Sequence, residues 1–151
     1  MQTYFKVLSQ WLISQKIIPA VATSDDASQE DKTFWQIFPE DDNKVNNCVV
    51  LLQYDNQGDA YVAPGSIMHA MQLIFRNQSH MIAMTQATNA ARTLQMLSKG
   101  EPIIDITYED DEGVTQQGFF ILRCDNDPTK LNEDAQGRFL YSVSFYITTN
   151  I

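Results

Sequence analysis

The chain is 151 residues long with 44% hydrophobic residues, enough for one ordinary core and too short for two comfortable domains, so a single domain over residues 1–151 is expected. Its 19 Asp and Glu against 10 Lys and Arg give a formal charge of −9; such a surface repels phosphate backbones and anionic lipid and disfavours direct nucleic-acid or membrane binding, because the basic residues do not cluster in sequence. No run approaches the ~20 continuous apolar residues of a transmembrane helix, and the opening stretch, where Lys6 and Lys16 bracket an apolar run holding Ser9 and Gln10, does not read as a signal peptide, so we expect a protein neither exported nor anchored.

Tyr4, Leu8, Trp11 and Leu12 recur at helical spacing after Thr3, a candidate N-cap, which predicts a short amphipathic helix from residue 3 to about residue 16, ended before Pro19. Residues 22–32 are rich in Ser, Asp and Glu and read as a loop, the first part of a mobile acidic segment spanning about 22–47. Within that segment, residues 33–38 (TFWQIF) form an aromatic burst, a short strand or an anchor; Phe34, Trp35 and Phe38 are either core or an exposed patch awaiting a partner. Residues 48–54 (CVVLLQY) are apolar on both faces, the pattern of a strand sandwiched between layers, and residues 55–59 close a turn.

Residues 66–76 predict a long strand with Ile67, His69, Met71, Leu73 and Phe75 on one face and Met68, Ala70, Gln72, Ile74 and Arg76 on the other. His69 among apolar neighbours, like His80 at the next helix start, reads as a packed or hydrogen-bonded side chain. The strand turns directly into a helix over residues 80–99, where Ala83, Ala87, Ala90, Ala91, Leu94 and Leu97 draw one apolar stripe at three- and four-residue steps. Four of those six are alanine, which predicts a helix lying close on the sheet. Ser79 is a candidate N-cap, Lys99 suits the last turn, and Gly100 is expected at a left-handed C′ position with Pro102 beyond it.

Residues 102–108 and 115–124 read as two strands joined by the charged turn 109–113, a hairpin. The four acids at its tip lack the alternating ligand pattern of a calcium loop and read as a solvated tip. Residues 125–136 read as a polar loop. Residues 137–147 then alternate, with Phe139, Tyr141, Val143, Phe145 and Ile147 on one side and Ser142 and Ser144 on the other, a half-buried closing strand. Helix, extended segment, two strands, helix and three strands make an α+β fold: an antiparallel or mixed β-sheet carrying an N-terminal and a central helix on one face.

Catalytic signatures are missing from the sequence: it contains no G-x-S-x-G, no Walker-type or dinucleotide-binding glycine pattern, and no His/Cys spacing of zinc type. Cys48 and Cys124 each sit in an apolar strand-like run, which predicts buried free thiols rather than a disulfide or a metal site and suits synthesis in a reducing cytosol. The expectation is a protein that is not an enzyme and needs no metal or cofactor. From the residues alone, the alternatives are a stand-alone protein-binding adaptor whose sheet edge takes a partner strand and a small hydrolase with an unrecognised site.

An aliphatic strand at residues 49–54, then MQLIFR (71–76) running through a polar turn into an Ala-rich helix that ends LQML (94–97), a strand at 115–124, and the closing GRFLYSVSFYI (137–147) together carry a resemblance. Over roughly residues 48–150, and more loosely over the first helix, the chain resembles the minor capsid and tail-terminator (tail-completion, head-tail joining) proteins of long-tailed bacteriophages. The resemblance implies a structural virion protein of the tail or neck, assembled in the host cytoplasm. Its subunits would close into a homo-oligomeric ring, commonly a hexamer, that caps the tail tube and meets the head connector or a portal-side neck protein. DNA would pass through the ring without sequence-specific binding, and the acidic balance suits a lumen along which DNA slides. Candidate interface residues are Phe34, Trp35 and Phe38 in the acidic segment, Glu109, Asp110, Asp111 and Glu112 at the hairpin tip, Arg76 beside its turn, and Arg138 at the head of the closing strand.

Overall fold

Alternating strands and two apolar helix stripes dictate the layers. The computed structural model describes residues 3–23, 30–36, 38, 45–54, 60–63 and 65–151. Its elements run α1 (Thr3–Ser14), β1 (Lys32–Trp35), β2 (Cys48–Gln53), β3 (Ala60–Ala63), β4 (Ser66–Asn77), α2 (His80–Gly100), β5 (Ile103–Glu109), β6 (Thr115–Arg123), β7 (Thr129–Lys130) and β8 (Phe139–Thr149). The strands form one mixed sheet of order β1-β2-β4-β8-β6-β5, in which β3 continues the β2 edge of β4 and β7 pairs β8. β1 runs parallel to β2, and the other pairs are antiparallel. The fold is α+β, as the sequence predicts.

Side-chain alternation puts Val49, Leu51, Met71, Leu73, Phe75, Tyr141, Val143, Phe145, Ile147, Phe120 and Leu122 on one face of the sheet, and both helices cover that face. From α2 the buried contribution is Ala83, Ala87, Ala90, Ala91 and Leu94, with Leu97 partly buried. Four methyl-sized residues in that stripe bring the helix backbone close to β4 and β8. α1 adds Tyr4, Phe5, Leu8 and Leu12, and Trp35 of β1 ties it to the sheet edge by donating its Nε1–H to Ser9 Oγ (2.9 Å) and standing edge-on to Phe5.

The helix ends follow local chemistry. Ser79 caps α2 by accepting the Ile82 N–H, and its own N–H donates to Asn77 Oδ1 (2.9 Å). The expected left-handed Gly100 is corrected: Gly100 is the last helical residue, and Glu101 at φ −135° caps the end with its N–H on Leu97 O. Pro102 explains this, because the residue before a proline is pushed out of the helical region. α1 stops two residues earlier than the spacing suggests. Lys16 takes φ 59°, its N–H donates to Ile13 O (2.9 Å), and Ile17 N–H reaches back to Leu12 O (3.0 Å), a Schellman closure with Ile17 buried against the helix.

Three strand readings change. Thr129 and Lys130, inside the expected polar loop, pair with Ser142 and Tyr141; Ala60–Ala63 forms a strand that the sequence did not announce; and β8 runs on to Thr149. β8 is also more than half-buried, since Ser142 and Thr148 on its second face are 5% and 7% exposed. Of the acidic segment 22–47 expected to be mobile, residues 32–35 are β1, and the Glu30 carboxylate accepts the N–H groups of Asn46 and Asn47 (2.8 and 2.7 Å), so this part is ordered against β2. Residues 24–29, 37 and 39–44, and the expected turn at 55–59, lie outside the described residues.

Candidate functional site

The second face of the sheet gathers two cations. Arg76 on β4 and Arg138 before β8 are 2% and 1% exposed and both donate to the carbonyl oxygen of Val45, at 2.6 and 2.9 Å. The Arg76 guanidinium also lies 4.6 Å over the Phe38 ring, and Arg138 Nε donates to Asp134 Oδ2 at 2.7 Å. Both arginines were candidates for contact with a neighbouring subunit; as placed, they are internal struts that fasten residue 45 to the sheet. Isolated buried charge is costly, which is why each guanidinium is surrounded by acceptors or a ring. Cys48 lies on the same face, and burial pushes its thiol up to about 11 against the lowering effect of the two arginines. Cys124 is likewise buried and pushed up to about 11, mainly by burial, so both thiols are protonated and inert at neutral pH.

Arg138 is held by a turn used twice in the chain. In 134–138 (DAQGR) Asp134 Oδ1 accepts the N–H groups of Gln136 and Arg138, Gly137 at φ 75° returns its N–H to Asp134 O, and Asp134 N–H donates to Arg138 O. The tip of the β5–β6 hairpin, 110–114 (DDEGV), repeats this bond for bond with Gly113 at φ 77°. Each is a three-residue loop closed by a left-handed glycine. The Val114 N–H, the Gln116 amide and the Glu112 N–H hold the Asp110 carboxyl below the ordinary carboxylate range. The acidic tip is therefore a built structure, with Glu109, Asp111 and Glu112 set around an anchored Asp110.

That hairpin projects. β6 pairs with β8 only from Phe120 to Arg123, whereas residues 115–119 pair with β5 alone. At about 3.4 Å per residue this carries the tip roughly 17 Å past the last β6–β8 pair. Its base is clamped: Thr149 Oγ1 donates to Phe119 O (2.8 Å), Asn150 Oδ1 accepts the Phe119 N–H (3.0 Å), and Ile151 packs so close to Gly118 that a methyl there would meet Ile151 Cγ1 at 2.6 Å. Beside the clamp, Ile103 and Ile121 sit opposite each other across the strands, 64% and 36% exposed, and Val114 at the tip is 50% exposed.

A second bare surface went unread in the sequence. The outward stripe of α2, at three- and four-residue steps, is Met81, Thr85, Thr88, Arg92, Met96 and Lys99, with Met84 at its flank; Met81 is 66% and Met96 74% exposed. Among the described residues neither Arg92 nor Lys99 is ion-paired. The signal was available: α2 has no Asp or Glu in a chain with 19.

The aromatic candidates separate. Trp35 faces α1, Phe38 serves Arg76, and half-buried Phe34 faces the other way on the edge strand β1 beside Val50. Both histidines pack, as the sequence predicts: His69 stacks on Tyr4 at 3.9 Å and approaches Gln53, and His80 stacks on Phe139 and bonds the Tyr141 hydroxyl. Among the described residues, Lys16 is the one titratable side chain lining a groove of about 400 Å³ between the end of α1 and α2. Among the described residues no three His, Cys, Asp or Glu come together to hold a metal, and no helix is long and apolar enough to cross a membrane.

Compared with known proteins, the chain finds no match among curated ones. The sequence profile of the family described as bacteriophage tail terminator protein matches residues 21–151, which takes in every strand and α2. The chain thus belongs to the bacteriophage tail terminator proteins, structural components of the virion tail that contact other tail and head proteins.

Proposed function

We propose that the chain is the subunit of a homo-oligomeric ring, sixfold in keeping with the family resemblance, that closes the end of the completed tail tube and joins it to the head connector or a portal-side neck protein. The family match over residues 21–151 carries this reading. Two features support it. Among the described residues, the exposed surface includes a projecting acidic hairpin and an outward helix face rich in methionine, and the groove on the helix side brings together no acid, base and nucleophile. A net charge of −9 suits a lumen through which DNA slides without adhering. In this reading the function is mechanical: surfaces fit copies and neighbours, and the assembly forms in the host cytoplasm.

The test is to incubate the purified chain with purified tail tubes lacking it and to image them in negative stain. Extra density in the form of one ring at one end of each tube is expected. Tubes left bare, or coated along their length, would overturn the proposal.

A further inference from the structure

Resting on the ring reading, we infer that the acidic β5–β6 hairpin of one copy docks on the outward face of α2 in the next copy. The two surfaces complement each other in charge and in character. The tip carries Glu109, Asp111 and Glu112 next to exposed Val114. The helix face carries Arg92 and Lys99 among Met81, Met84 and Met96, with no acid on the whole of α2. In a chain with 19 acids and 10 Lys and Arg, a 21-residue helix free of acid is a local reversal of sign that the fold itself does not need, since its buried stripe is Ala and Leu. Methionines at 66% and 74% exposure are costly on a surface that stays wet, and their flexible side chains adapt well to a partner.

Geometry permits a second copy and disfavours self-docking. The tip is held out from the sheet by a clamp at Phe119 and by the Asp110 turn, so it arrives preformed, at little ordering cost. The helix face and the hairpin are different patches, so the contact is heterologous: each copy offers one hairpin and one helix, and repetition by rotation closes a ring. Contacts that combine exposed charge with apolar side chains should also weaken as salt rises.

The test uses two full-length variants whose substitutions spare the core, the Asp110 carboxylate and the left-handed Gly113. Chain one carries Arg92→Glu and Lys99→Glu, and chain two carries Asp111→Lys and Glu112→Lys. Circular dichroism checks that each keeps the wild-type fold; wild type, each variant and their one-to-one mixture are then weighed by light scattering and on tail tubes. Each variant alone should lose the multimer that wild type forms, because chain one sets acids against acids and chain two sets its new lysines against Arg92 and Lys99. The mixture should recover it, because the lysines of one hairpin then meet the glutamates of the other helix, and the acids of the other hairpin meet Arg92 and Lys99. Either variant assembling like wild type, or a mixture that stays dispersed, would overturn the docking while leaving the ring intact. Wild type that forms no multimer, free or on tubes, would sink the ring reading itself.

Discussion

At the scale of single residues, the chain places several side chains where only their surroundings justify them. Lys16 holds φ 59° to close α1, a conformation that costs a residue bearing a Cβ about 1 kcal/mol relative to glycine. Lys16→Gly should raise the unfolding free energy by about 0.5–1 kcal/mol in urea titration, partly offset by glycine's looser unfolded chain. Arg138 is the larger stake. Truncating one partner of a buried ion pair typically costs about 3–5 kcal/mol, and Arg138→Ala should fall near that range by denaturant unfolding, with Arg138→Met milder because it keeps the packed stem.

The same pair sets an acid limit. Burial alone would push the Asp134 carboxyl up, but the Arg138 N–H and guanidinium and the Gln136 N–H outweigh it and lower the pKa. A lowered folded pKa means that ionised Asp134 favours the fold above the ordinary Asp value of about 3.9. That contribution is lost as pH falls through the lowered folded value. Stability measured against pH should therefore decline below about pH 4, and Arg138→Met should flatten that part of the curve. None of this was legible beforehand: Arg76 and Arg138 read as surface groups because their shared acceptor, Val45, lies 31 and 93 residues away in the chain.

At the scale of elements, periodicity decided what could be read. α2 was legible from Ser79 to Lys99 because its alanine stripe, N-cap and last-turn lysine all agree, and β8 because its odd-numbered side chains alternate for five positions. β7 was not, since two residues have no period and become a strand only by meeting Ser142 and Tyr141. The projection of the β5–β6 hairpin also escaped, because nothing local says that β6 outruns β8 by residues 115–119. The alanine stripe makes a sharp prediction, because Ala87 is fully buried in the core between α2 and the sheet and a larger side chain there must displace its neighbours. Ala87→Leu should cost about 1–3 kcal/mol through overpacking, whereas Thr85→Leu at an exposed position on the outward side should change stability little. Thermal unfolding of the two variants compares them directly.

At the scale of the whole molecule, a single sheet carries two kinds of surface. One face is covered by α1 and α2, and the second is pinned at one end by the buried arginines; among the described residues, the hairpin, its isoleucine pair and the methionine face of α2 stand exposed. Membership of the tail terminator family suits such a division, because a virion component that contacts other tail and head proteins needs a rigid interior and protruding parts that meet them. The most direct measurement is the number of copies of this chain per virion, by quantitative mass spectrometry on purified phage with tails of normal and artificially altered length. The account predicts a fixed copy number, one ring per particle, whatever the tail length; a copy number that scales with tail length, or a chain absent from the finished particle, would contradict it.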